Sequence, residues 1–144
     1  MTYKHILVAV DTNEDLENIV SKGVNIAKNN EADICTVHID MKLENYYISP
    51  LEFDAEKYDK TSRTHSKANL LDRLKRIGFP IKNSIICSGD IPVKIQEMID
   101  RYEIDLLIIG HHHYGKLGQV FISTAAPLIE TMPCDILLIK LTND

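Results

Sequence analysis

The sequence predicts an α/β fold built on a doubly wound, five-stranded parallel sheet. Two runs of consecutive apolar residues, 6–10 and 104–109, are typical of strands that are buried on both faces. Segments with apolar residues at helical spacing alternate with the strand-like segments along the chain. Because strands that alternate with helices pair in parallel and carry helices on both faces, this order favours a doubly wound sheet.

The predicted elements follow one another as five strands and four helices. The strands cover residues 6–10, 33–40, 81–87, 104–109 and 135–141. The helices cover residues 12–30, 51–77, 91–102 and a last segment that starts near residue 123 and ends before residue 133. Gly23 falls on the apolar stripe of the first helix, which indicates close packing on the sheet. Gly78 is placed to end the second helix, and Asp90 to cap the third.

The size and composition of the chain fit a single domain over residues 1–144. Apolar residues make up 44% of the sequence and charged residues 26%, so we expect a normal core without disulfides. Cys35, Cys87 and Cys134 lie far apart and form no CxxC pair. This spacing indicates reduced thiols in a cytosolic protein.

The charge distribution excludes several classes of partner. The net charge of -5 argues against a nucleic-acid or anionic-membrane surface, which requires clustered Lys and Arg. Lys94, Lys116 and the other basic residues are scattered along the chain. The first residues lack the features of a signal peptide, and no apolar run reaches the roughly 18 residues of a membrane span. We therefore expect a cytoplasmic protein with no nucleic-acid and no membrane partner.

The segment after the fourth predicted strand is the first place to look for a functional site. It begins with Gly110 and three histidines, and it continues through Gly115 and Gly118 to Ser123 and Thr124. In open α/β sheets, ligands bind at the carboxyl ends of strands, where the strand order reverses. The alternative is an ordinary strand-to-helix turn that needs its glycines only for backbone geometry.

Several short segments resemble the universal stress protein family, and most closely its universal stress protein A subgroup. They are YKHILVAVD at residues 3–11, VHID at 37–40, SGD at 88–90 and DLLIIGHH at 105–112. Together they span the chain in the order and spacing of that family. The resemblance implies a Rossmann-like, adenine nucleotide alpha hydrolase-like fold with strand order 3-2-1-4-5. It also implies a cytoplasmic homodimer that accumulates under stress.

The resemblance implies a nucleotide site in some members, and this sequence departs from their motif. ATP-binding members carry Gly-x2-Gly-x9-Gly-[Ser/Thr] after the fourth strand, which lets backbone N–H groups reach phosphate oxygens. Gly110 matches the first glycine, but His113 stands at the second position and Ile122 or Ser123 at the third. The two later glycines of the loop have the wrong spacing to restore the motif.

The other positions of such a site are present. Asp11 and Val37 match positions that contact the ribose and the adenine in binding members. The universal stress protein A subgroup keeps both positions, shares the His-His pair after the glycine, and lacks ATP. We therefore expect no bound ATP, and the alternative is an ATP- or AMP-binding switch. Its site would consist of Asp11, Val37, Gly110, Ser123 and Thr124.

The run of three histidines suggests a metal site as a further alternative. In an extended segment His111 and His113 point the same way, and they can share an ion with His38 or a carboxylate. Their spacing matches no established zinc motif, so histidines that cap strand ends or hydrogen-bond across the sheet are favoured. We therefore expect no metal cofactor.

The chain is predicted to be a non-catalytic stress-response protein that acts through protein contacts. Ser123 has no identifiable base with an orienting partner, and the sequence contains no nucleophile elbow. The last strand, residues 135–141, is apolar. At a sheet edge such a strand is a liability unless it is paired or covered. Together with the resemblance, this predicts a homodimer through the C-terminal strand.

Overall fold

The computed structural model describes residues 2–10, 16–40, 72–112 and 126–141. The strands are β1 (His5–Ala9), β2 (Asp33–Asp40), β3 (Asn83–Ser88), β4 (Leu106–His112) and β5 (Asp135–Leu141). All pairings are parallel, and the strand order is β3-β2-β1-β4-β5. This confirms the predicted fold class, the adjacency of the first and fourth strands, and the order that the resemblance implies.

Helices flank the sheet on both faces. The two long ones are α1 (Leu16–Asn30) and α2 (Ile91–Arg101), and shorter helical stretches cover residues 72–75 and 126–131. Asp90 caps α2 as predicted, because its carboxylate accepts a hydrogen bond from the backbone N–H of Val93 at 3.2 Å. Gly78 has a φ of +76° after the 72–75 stretch, as expected at a helix end. None of the helices in the described ranges is long and apolar enough to cross a membrane.

Parts of three predicted helices and the loop after β4 fall outside the described residues. These parts are residues 12–15, 51–71, 113–122 and 123–125.

The core consists of two apolar layers, one on each face of the sheet. On one face, α1 and residues 74–79 pack around Val8 and Ile108. On the other face, α2 and the stretch at 126–131 pack around Leu7 and Leu107. Because consecutive residues of a strand point to opposite faces, the continuous apolar runs of β1 and β4 supply both layers.

Gly23 brings α1 close to the sheet, as its place on the apolar stripe predicts. A Cβ at this position would lie 2.8 Å from Val8 Cγ2 and 3.1 Å from Ile34 Cδ1. Both of these side chains are fully buried on neighbouring strands. The helix can approach this far only because its contact point lacks a side chain.

Strand ends differ from the predicted ones, most of all at β4. This strand was predicted to end at Ile109, and the loop to start after Gly110, but the strand continues to His112. Gly110 pairs with Ile139 and His111 with Lys140, so β5 extends the ladder beyond the apolar run. The end of β4 is therefore set by its neighbour in the sheet. Shifts of one or two residues occur at β1 and β3, which were predicted at residues 6–10 and 81–87.

Candidate functional site

The carboxyl ends of β1, β2 and β4 meet where the strand order reverses. Ala9 at the end of β1 pairs with Val37 of β2 on one side and with Ile109 of β4 on the other. β3 continues the sheet beyond β2, and β5 continues it beyond β4. In folds of this class, the crevice outside such a reversal point is the usual place for a ligand. The chain that follows β1 thus starts beside the end of β4.

His38 fixes the end of β1 to β2 at this edge. Its ring Nδ1 lies 3.0 Å from the carbonyl oxygen of Val10, and the N–H of Val10 donates to the carbonyl of Val37 at 2.9 Å. Since a carbonyl oxygen only accepts, Nδ1 carries the proton in this contact. His38 is only 7% exposed, so this bond orients the residue just before Asp11.

Two of the five predicted nucleotide-site residues lie in the described part of the chain. The side chain of Val37 is only 1% exposed and belongs to the α2-side core, and its carbonyl already accepts the N–H of Val10. Gly110 is buried within β4. Because β1 lies between their strands, they are about 10 Å apart at the usual strand spacing. Asp11, Ser123 and Thr124 lie outside the described residues.

The metal alternative was assigned to histidines at the same edge. No group of three or more His, Cys, Asp or Glu side chains that could hold a metal ion occurs within the described ranges. The backbone of His111 is part of β4, but its side chain and the whole of His113 lie outside what the structure describes. The metal alternative therefore stays a prediction.

A second candidate site is the edge strand β5, where apolar side chains reach solvent. Leu137 is 37% exposed and Leu138 48% exposed, on a strand that forms one edge of the sheet. Ile129 at 43% and Met132 at 53% lie just before this strand in the chain. We call these four residues the β5 surface. Its position confirms that the C-terminal strand is an edge strand, as predicted.

The cysteines form no disulfide with one another. Burial raises the pKa of the Cys35 thiol, and it raises that of Cys134 to about 11. Both thiols are thus protonated at neutral pH, which disfavours nucleophilic or metal-binding roles for them.

Comparison with known proteins gives a consistent result. The profile of the universal stress protein family matches residues 2–140. The universal stress protein A homolog of Haemophilus influenzae is 30% identical over 144 residues, which cover 99% of each chain.

Two solved structures have the same fold. One is the universal stress protein UspA from Lactobacillus plantarum, with a TM-score of 0.77, 22% identity, and coverage of 96% of this chain and 99% of the other. The other is a universal stress protein from Archaeoglobus fulgidus in complex with dAMP, with a TM-score of 0.61, 20% identity, and coverage of 97% and 100%. At these identities the structures support the fold alone.

Proposed function

Because the chain belongs to the universal stress protein family, we propose that it is a non-catalytic, cytoplasmic stress-response protein. In this proposal it forms a homodimer through β5, acts through contacts with other proteins, and holds no ATP. The observation that carries it is the β5 surface. Leu138 is 48% exposed on a strand whose outer edge has no strand partner among the described residues. An apolar edge of this kind is stabilised when a second chain covers it.

Symmetry determines how two copies can meet at this edge. A twofold axis perpendicular to the sheet beside β5 reverses the strand direction, so the two strands pair antiparallel and each contributes the same residues. Leu137 and Leu138 point to opposite faces of the sheet, so both faces gain apolar contacts at the junction. Asp135 at the start of one strand then lies towards Lys140 near the end of the other, which favours this orientation.

Sedimentation over a range of concentrations tests the homodimer. We expect twice the monomer mass of 16.4 kDa at tens of micromolar, the rough range for dimers of moderate affinity. A Leu138→Lys variant should raise the dissociation constant by about ten-fold or more, because it buries a charge at the junction. Val93→Lys is the matched control, because Val93 is 54% exposed on α2, away from β5. A monomer at these concentrations, or equal effects of the two variants, would contradict the proposal.

The alternative function is an ATP- or AMP-dependent switch at the carboxyl ends of the central strands. Two observations favour it: the related structure from Archaeoglobus fulgidus holds dAMP, and the ends of β1, β2 and β4 meet where the strand order reverses. Calorimetry with ATP and Mg²⁺ separates the two functions. We expect a dissociation constant no tighter than about 1 mM, because the glycine motif is broken. Micromolar affinity would favour the switch.

Metal analysis of chelator-washed protein separates the metal alternative from the dimer proposal and from the nucleotide switch. Stoichiometric zinc that is lost on replacing His111 and His113 by alanine would favour that alternative over the proposal. If the unmodified protein and the variant both contain only trace metal, the dimer proposal stays in place.

A further inference from the structure

A pocket lies at the amino ends of β1 and β3, at the opposite end of the strands from the nucleotide-site positions. It has a volume of about 210 Å³. In the described part of the chain it is lined by His5, Cys35, Lys82, Asn83, Arg101, Tyr102 and Glu103. Sites for drug-sized ligands usually measure about 300–1,000 Å³. This pocket lies below that range, which suits a small molecule.

Two opposite charges line this pocket without neutralising each other. The guanidinium of Arg101 lies over the ring of Tyr102, with Cζ 5.8 Å from the ring centroid. Arg101 and Glu103 form no ion pair, either with each other or with another described residue. An unpaired cation and an unpaired anion at one pocket match a ligand that carries both charges.

The other basic side chains of the pocket lie near Asp33. Lys82 Nζ lies 3.0 Å from Asp33 Oδ2, and His5 Nδ1 lies 3.8 Å from the same oxygen. Asp33 thereby offsets the positive charge of Lys82. Arg101 is left as the cation for a ligand carboxylate, whose two oxygens fit its planar fork of N–H donors.

A hydrogen-bonded turn places the backbone of Glu103 at the pocket. The N–H of Ile104 donates to the carbonyl of Ile99 at 3.0 Å, which closes the C-terminal turn of α2 around Tyr102 and Glu103. Glu103 adopts a φ of +54° in this turn. The backbone of Glu103 is therefore placed at the pocket by the end of the helix.

Beside its charged residues, the pocket is lined by a thiol, an amide and an aromatic ring. Cys35 is only 4% exposed, and its sulfur lies 3.7 Å from the amide nitrogen of Asn83, which donates to it. Tyr102 is half-buried beside them. A thiol and an aromatic ring provide room for a short apolar group, but not for a further charge.

We propose that this pocket binds a free α-amino acid with a short side chain, whose carboxylate pairs with Arg101 and whose ammonium pairs with Glu103. The side chain lies towards Cys35 and Tyr102. The proposal does not depend on the β5 surface or on the nucleotide-site positions, because none of those residues lines the pocket.

Titration of ¹⁵N-labelled full chain with L-alanine, followed by amide chemical shifts, tests the proposal. We expect saturable shifts around Asn83 and Tyr102, with a dissociation constant of about 1 mM, as suits so few ligand atoms. Propionate lacks the ammonium group and ethylamine lacks the carboxylate. Each should bind about ten-fold more weakly than alanine, and this series needs no variant protein.

Charge-removing variants locate the site. Arg101→Gln and Glu103→Gln should each weaken alanine binding by about ten-fold. Glu31→Gln is the matched control, because Glu31 has the same φ of +54° at the end of α1 but does not line the pocket. The proposal is overturned if alanine causes no saturable shift up to about 20 mM. It is also overturned if propionate or inorganic phosphate binds as well as alanine, or if the two variants bind like the control.

Discussion

The hydroxyl of Thr36 is a polar group without a partner inside the core. Thr36 is fully buried in β2, and its Oγ1 makes no hydrogen bond within the described structure. Burying an unsatisfied hydroxyl costs about 1–3 kcal/mol. We therefore expect Thr36→Val, which keeps the shape and removes the hydroxyl, to raise the free energy of unfolding by about 1 kcal/mol. Urea denaturation at one fixed protein concentration measures this change.

The matched control for this substitution is Thr36→Ser, which keeps the hydroxyl and removes the methyl group. It should lower the free energy of unfolding, because it leaves a small cavity and the same unsatisfied group. If Thr36→Val is less stable than the unmodified protein, a buried water satisfies the hydroxyl and this reasoning fails.

The residues at positions 113 and 123 allow a direct test of why ATP binding is expected to be weak. His113→Gly with Ser123→Gly restores all three glycines of the motif with Gly110, and it leaves Thr124 as the hydroxyl. We expect this double variant to bind ATP about ten-fold more tightly or better, equivalent to about 1.4 kcal/mol, by calorimetry. Adding Thr124→Val should remove part of the gain. Micromolar affinity of the unmodified protein would show that Gly115 and Gly118 already rebuild the loop.

At the scale of elements, the contact of α1 with the sheet depends on one missing side chain. Gly23→Ala gains about 1 kcal/mol of helix propensity, but its Cβ would lie 2.8 Å from Cγ2 of Val8. Val8 is β-branched and fully buried, so it cannot move aside cheaply, and overpacking of this kind costs about 1–3 kcal/mol. We expect a net loss of about 1 kcal/mol by urea denaturation. Asn25→Ala, on the exposed side of α1, should be neutral or stabilising, and the same result for both variants would contradict the packing argument.

The end of α1 is a hydrogen-bonded turn that glycine usually occupies. The N–H of Ala32 donates to the carbonyl of Ala27 at 2.9 Å, and that of Glu31 to Lys28 at 3.4 Å, as in a Schellman motif. Glu31 adopts a φ of +54°, which strains any residue with a Cβ. We expect Glu31→Gly to raise the melting temperature, with a gain of about 0.5–1 kcal/mol, whereas Glu31→Ala should give no gain. A fall in melting temperature for Glu31→Gly would be inconsistent with strain at this position.

At the scale of the whole molecule, an ion pair joins α1 to the segment that enters β3. Both carboxylate oxygens of Glu17 accept hydrogen bonds from the Arg73 guanidinium, each at 2.7 Å. This contact lowers the pKa of Glu17 below its usual value, although burial opposes the shift. A carboxyl with a lowered folded-state pKa stabilises the protein above its unfolded-state pKa of about 4.3, and that contribution is lost as the pH falls through the folded-state pKa.

The stability of Glu17→Gln as a function of pH measures this contribution. At pH 7 we expect the variant to be less stable by about 0.5–1 kcal/mol, because the glutamate side chain is 41% exposed and partly screened by solvent. The difference between the two proteins should shrink between about pH 5 and pH 3, since the unmodified protein loses the charge that the variant lacks. A difference in urea midpoint that stays constant over this range would contradict the assignment.

The two ends of the sheet are held by different contacts. Only the carboxyl end carries a sequence pattern that marks a candidate site. At the amino end, the carboxylate of Asp105 accepts hydrogen bonds from the N–H groups of Lys4 and His5 at 2.7 and 3.0 Å. At the carboxyl end, the glycine and the histidines after the fourth strand drew attention because such residues follow strands in ligand sites. The amino-end pocket has no comparable pattern, since its charged residues are ordinary surface types in separate segments.

The sequence by itself determined the five strands, their parallel arrangement and the two long helices α1 and α2, because apolar periodicity reports burial along each segment. It also determined family membership, since short matches at fixed spacing span the chain. Only the tertiary structure decided that β4 runs on through Gly110, that His38 donates to Val10, and that Arg101 and Cys35 line one pocket. These features join residues on different strands or helices, and the register and order of the strands bring them together. A one-residue shift in register leaves the local periodicity of a strand unchanged but changes every one of these contacts.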